Sequence, residues 1–121
     1  MFKFLQGAVA DPASAENVHI IEPDVIRGWL DAGEAVLIDV RETDEYAAEH
    51  IPGALLNPLS VFDPARIPDL QGKKLVIHCR SGQRCGSATA KLLADGYKGE
   101  INRMRGGIIA WKASGCPVTG G

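Results

Sequence analysis

The 121-residue sequence is poor in the residues that mark specialised protein classes. It has three cysteines, Cys79, Cys85 and Cys116, with no Cys-x-x-Cys pair. A small secreted domain held by disulfides uses more cysteines, in even number, so the pattern points to reduced thiols. The three histidines, His19, His50 and His78, show no zinc-ligand spacing with the cysteines, and no metal site is expected. No apolar run approaches the roughly 18 residues a membrane helix needs. The apolar opening Met1-Phe2-Lys3-Phe4-Leu5 is cut short by Gln6 and Gly7, too early for a secretory core. A cytoplasmic protein with no membrane partner is the expectation. Charge of one sign is lacking too: the net charge is −2, and without a basic field no nucleic-acid partner is expected. There is no internal repeat, low-complexity tract or linker.

What is present is ordinary globular composition, 45% hydrophobic and 23% charged, at a length that fits one domain. Residues 1–17 carry little periodicity and read as a loosely held N-terminal arm. The domain itself is expected over 18–118, with 119–121 as a tail. Within it, short apolar runs alternate with helical patterns. Val18 to Ile21 reads as a strand. Pro23 opens a helix with Val25, Ile26, Trp29 and Leu30 on one face, stopped by Gly33. Ala35 to Val40 is a buried strand, Thr43 a cap for a short helix, Ala54 to Asn57 another strand. Pro58, Pro64 and Pro68 mark an irregular stretch. Lys73 to His78 is the most apolar strand, as expected where both faces are covered. Arg84 to Asp95 is a helix ended by Gly96, Gly99 to Asn102 a last strand, and Ile108 to Ala113 a last helix. Strands alternating with helices imply an α/β sandwich around a mostly parallel sheet. Such sheets bind ligands beyond the carboxyl ends of their strands, and the most buried strand ends at His78-Cys79.

The segment His78-Cys79-Arg80-Ser81-Gly82-Gln83-Arg84-Cys85 places a cysteine between a buried strand and the start of a helix. Loop and first-turn N–H groups can converge there into an anion cradle, reinforced by the helix dipole. Arg80 and Arg84 add positive charge. All of these favour thiolate over thiol, so Cys79 is the candidate nucleophile.

These residues carry a resemblance. Cys79-x-x-Gly82-x-Arg84 after an apolar strand resembles the active-site loop of the rhodanese family. Asp39-Val40-Arg41-x-x-x-Glu45-Tyr46, followed by His50-Ile51-Pro52-Gly53-Ala54, is similar to the family's first-half motif. Gly106-Gly107-Ile108-x-Ala110-Trp111 with Gly115-x-Pro117-Val118 is similar to its C-terminal motif. The resemblance implies a three-layer α/β sandwich with a five-stranded, mostly parallel sheet. It implies that Cys79 takes sulfane sulfur from a small anionic donor such as thiosulfate and passes it to cyanide or a thiol, with no metal or organic cofactor. The backbone of Arg80, Ser81, Gly82, Gln83, Arg84 and Cys85 would hold the persulfide, and the loop arginines the donor. A relay module loaded by a partner protein is the alternative. Loss of the cysteine would have suggested a purely structural or regulatory domain, but the cysteine is there. Phosphatases similar in fold have five residues between cysteine and arginine. Here there are four, a cradle that suits sulfur better than a tetrahedral phosphate.

Other residues have competing roles. Arg84 is either a donor ligand or a structural arginine paired with a carboxylate. Asp39 and Arg41 read as an ion pair supporting the site. Cys85 reads as a packed thiol, with a resolving cysteine as the alternative, and Cys116 as an inert thiol. His50 is expected to hold the turn at Pro52, and His78 to face away from Cys79. Trp29 and Trp111 read as core residues. Glu49 stands where the family often has glycine.

Overall fold

The computed structural model describes residues 15–120; most of the expected N-terminal arm, residues 1–14, lies outside them. In chain order the elements are β1 Val18–Ile21, α1 Pro23–Asp31, β2 Ala35–Asp39, α2 Thr43–Ala48, β3 Glu49–His50, β4 Leu55–Leu56, two 3-10 turns at Leu59–Val61 and Pro64–Arg66, β5 Lys74–His78, α3 Gln83–Ala94, β6 Ile101–Met104, α4 Gly107–Ala113 and β7 Thr119–Gly120. β1, β6, β5, β2 and β4 lie side by side in that order, every neighbouring pair parallel. β3 and β7 form a separate antiparallel pair, so Thr119 and Gly120, read as tail, make a short ladder. Among the described residues no helix is long and apolar enough to cross a membrane.

Side chains alternate faces along a strand, and that alternation builds the two cores. Leu75 and Ile77 of β5, with Ile38 and Ile101, pack against Cys85, Ala88 and Leu92 of α3. Val76 of β5, with Leu37 and Met104, packs on the other side against Ile26 of α1 and Ile108 and Trp111 of α4. Each of these large apolar side chains contributes roughly 1.5–3 kcal/mol when fully buried. β5 is apolar throughout because helices cover both of its faces.

Several boundaries differ by a residue or two from the sequence reading, and three of the differences have a specific cause. The cap of α2 is Glu42, not Thr43: Glu42 and Glu45 form a reciprocal capping box, with the Glu42 N–H donating to Glu45 Oε1 at 2.9 Å. α3 starts one residue early, at Gln83, because Gly82 at φ +106 supplies the turn. β6 runs from Ile101 to Met104, because Ile101 pairs with both Val18 and Leu75 and sets the register.

Tyr46 and His50 stack with ring centroids 3.9 Å apart. Tyr46 Oη donates to the Ala54 carbonyl at 2.8 Å and His50 Nδ1 meets the Tyr46 carbonyl at 2.9 Å; together they hold the Pro52 turn. Trp111 is core, its Nε1 donating to Pro117 O at 2.7 Å. Trp29 is half-buried, with Lys74 Nζ 5.3 Å from its ring centroid.

The tightest approach at any described glycine is at Gly107, where a Cβ would stand 2.5 Å from the carbonyl oxygens of both Cys79 and Arg80, at φ +61. Gly107→Ala is therefore expected to cost about 2–5 kcal/mol, left-handed strain plus overpacking, read as a lowered urea midpoint. Gly115→Ala meets only open space at φ +78 and should lose the strain cost alone. Equal losses in the two variants would contradict the assigned contact.

Candidate active site

Cys79 is the first residue beyond β5 and is 1% exposed. Its side chain turns toward the α3 face, while His78, one residue earlier, turns toward the other. The helix that follows has no side-chain cap, because its N-cap residue is Gly82. An uncapped helix leaves its first N–H groups without partners. The sulfur of Cys79 fills that role: Gly82 N–H donates to it at 3.0 Å, and the amides of Arg84 and Cys85, the second and third helical residues, favour its ionised form. These are the positions an N-cap side chain serves.

A second contact sets the loop's orientation. The carbonyls of Cys79 and Arg80 accept from Ile108 and Ile109 at 2.9 and 3.1 Å. In a trans peptide the N–H points opposite to the C=O, so carbonyls pinned toward α4 turn the amides of Arg80 and Ser81 away from α4. The Gly106-Gly107 turn allows this close approach.

The Cys79 thiol is pulled down from an ordinary 9.0 to about 5. The neighbouring Cys85 thiol contributes most; burial opposes it; the amides of Cys85, Gly82 and Arg84 complete the shift. Cys85 moves the other way, pushed well above the usual thiol range by Cys79 and by burial. It stays a thiol whose single S–H faces two acceptors, the Cys79 sulfur and the Ile77 carbonyl at 3.5 Å. Cys116 is also buried, among the α1 and α4 side chains.

The structure brings the other sequence candidates around this sulfur in distinct ways. Arg80, Ser81 and Gln83 have exposed side chains. Arg84 is half-buried and forks onto Glu45, Nη1 to Oε1 at 2.6 Å and Nη2 to Oε2 at 2.9 Å. That ion pair holds the Glu45 carboxyl down at about 2. Asp39 is fully buried, and Arg41 grips it through Nε and Nη2, the latter at 2.8 Å. Arg41 also donates to the carbonyls of Glu45 and Glu49. Register places Asp39 directly beside His78. Nε2 of His78 lies 3.4 Å from Asp39 Oδ2, and its Nδ1 donates to the Cys79 carbonyl at 3.2 Å. Burial raises the Asp39 carboxyl, but His78 and Arg41 outweigh it and hold the group below the usual carboxylate range.

Beside the loop is a cleft of about 370 Å³ lined by Arg41, Glu45, Glu49, Arg80, Ile109 and Lys112, among others. Glu49 pairs there with Lys112 at 2.5 Å, so the departure at this position reaches the cleft wall as well as ending α2. Sequence reasoning gave no role to Glu45, although it stands in the quoted motif. Its partner is 39 positions away, and no local pattern signals that pairing. The α4 amides of Ile108 and Ile109 were equally invisible, although they follow the Gly106-Gly107 pair of the quoted C-terminal motif.

The family model described as Rhodanese-like domain matches residues 22–114. A protein of Allochromatium vinosum described as a sulfurtransferase is 39% identical over 89 residues, covering 73% of this chain and 81% of its own. A probable adenylyltransferase/sulfurtransferase MoeZ of Mycobacterium tuberculosis is 37% identical, over 87% of this chain and 28% of its own. A thiosulfate sulfurtransferase structure from Pseudomonas aeruginosa superposes with a TM-score of 0.76 at 26% identity, over 90% of this chain and 21% of its own. The chain spans 28% to 59% of the length of several curated relatives.

Two outcomes follow from this geometry. Alkylation of Cys79 by iodoacetamide should reach half its maximal rate near pH 5, with Cys85 unmodified by mass; a midpoint near the ordinary thiol value would contradict the cradle. Glu45 is an acid whose folded pKa is depressed, so its contribution is present above about 4.5 and lost as pH falls toward about 2. Glu45→Gln should therefore flatten the acid limb of a pH–stability curve and cost up to about 1 kcal/mol at neutral pH, as a partly exposed ion pair does.

Proposed function

This chain belongs to the rhodanese-like domain family, and on that footing we propose that it is a sulfurtransferase working through a Cys79 persulfide. The observation that carries the reading is the sulfur of Cys79 standing as the acceptor for the first amides of α3. A site that stabilises a thiolate stabilises a persulfide anion for the same reason.

The donor we favour is thiosulfate or another small anionic sulfane compound. The Cys79 thiolate attacks the outer sulfur, a Cys79–S bond forms, the S–S bond of the donor breaks, and sulfite leaves with the bonding pair. The product is Cys79–S–S⁻. A cyanide ion or a thiolate then attacks the outer sulfur and regenerates the Cys79 thiolate. Arg80, exposed on the loop, draws the anion in. Arg84, forked onto Glu45, shapes the loop. With that guanidinium committed, it does not clamp a tetrahedral phosphate, which favours sulfur over phosphoryl transfer. Asp39, Arg41 and His78 support the strand ends behind the nucleophile.

A second reading is a relay loaded by a partner protein. The cleft beside the loop favours it: about 370 Å³, walled by Ile109, Arg80 and Lys112, it is larger than thiosulfate requires. A relative named as an adenylyltransferase/sulfurtransferase points the same way.

Intact-protein mass spectrometry distinguishes the two. Thiosulfate should add one sulfur, a gain of roughly 32 Da, removable by cyanide, and Cys79→Ser should show neither step. Loading by a protein persulfide donor but not by thiosulfate would favour the relay. No adduct from any sulfane donor would overturn both readings.

A further inference from the structure

The charges facing Cys79 are nearly all committed elsewhere. Arg84 is paired with Glu45, Arg41 with Asp39, and His78 lies between Asp39 and the Cys79 carbonyl. Cys85 is an un-ionised thiol. Arg80 points into solvent. Arg103 differs. It lies on β6 opposite Ile77, and alternation puts it on the face of Ile101, the side of Cys79, Cys85 and α3. It is half-buried, and among the described residues no carboxylate pairs with it.

The guanidinium touches the loop and borders the start of α3. Nη2 donates to the Gly82 carbonyl at 3.3 Å. The group also lies broadside over Gly86 in the first turns of α3, where a Cβ would stand 3.4 to 3.9 Å from Nη2, Cζ and Nη1. Gly82, the residue it holds, sits at φ +106 and donates its N–H to the Cys79 sulfur.

We propose that Arg103 is a positioning residue for the sulfur chemistry, fixing Gly82 from its carbonyl side so that the Gly82 amide stays on Cys79, and supplying an unpaired positive charge behind the anionic sulfur. This rests on the reading of Cys79 as the nucleophile. Lysine at 103 would keep the charge but lose the planar fork.

The test is the pH profile of Cys79 alkylation in Arg103→Gln and Arg103→Lys. It needs no sulfur donor, so its result is separate from whether sulfur transfer occurs. Arg103→Gln should raise the half-maximal pH by about one unit, or about tenfold slower alkylation below the midpoint with no change above pH 8. Arg103→Lys should recover most of that shift. If Arg103→Gln fails to fold by circular dichroism, Gly86→Val, whose methyl groups would reach beyond a Cβ already in contact at 3.4 Å and into the guanidinium, should move the midpoint the same way by less. A profile superimposed on wild type, or a loss equal at every pH, would overturn the proposal. So would an Arg103→Lys shift as large as that of Arg103→Gln.

Discussion

A sulfur atom standing where a helix cap belongs is the interaction around which the rest of this structure is arranged. The first amides of α3 need an acceptor, and Gly82 offers no side chain. Cys79 supplies one from the end of β5, with Gly82 N–H at 3.0 Å. For the sulfur to reach that position, β5 must end at His78 and the chain must turn through a left-handed residue within three steps. Both conditions are met by the residues present, an apolar strand followed by a glycine at φ +106.

Two scaffolds hold that arrangement from opposite sides. From the α4 side, the amides of Ile108 and Ile109 hold the loop's carbonyls outward, and only glycine fits at 107. From the α2 side, Glu45 forks onto Arg84, while buried Asp39 gathers Arg41 and contacts His78. Buried ion pairs cost desolvation and are weak evidence of stability. Here Arg41 also ties the carbonyls of Glu45 and Glu49, so its contribution is to the placement of α2 and hence of Glu45.

Much of this was legible in the sequence, for a definite reason. The strand–loop–helix passage at Cys79 is local: an apolar run, a glycine and a helical pattern lie within about a dozen positions, and period-two and period-3.6 patterns report such features directly. The opposite facing of His78 and Cys79 follows from the same rule. What was not legible depends on contacts between distant segments. Glu45 meets Arg84 only because β2 and β5 are neighbours in register. The ladder of Thr119 and Gly120 with Glu49 and His50 joins positions about 70 apart. The start of β6 at Ile101 rather than Gly99 was decided by pairing with β1 and β5, which outweighs the preferences of the segment itself.

The missing side-chain cap on α3 has one more implication. A group that ionises more readily in the folded chain stabilises the folded chain in return once ionised. Between about pH 5 and 9, where Cys79 is thiolate only when folded, helix and sulfur hold each other in place. The exchange of the α3 backbone hydrogens with solvent thus becomes a gauge of what the sulfur carries: slow opening while it bears negative charge, faster opening once it is capped by a neutral group. In this chain the chemical history of one atom is written into the breathing of a twelve-residue helix.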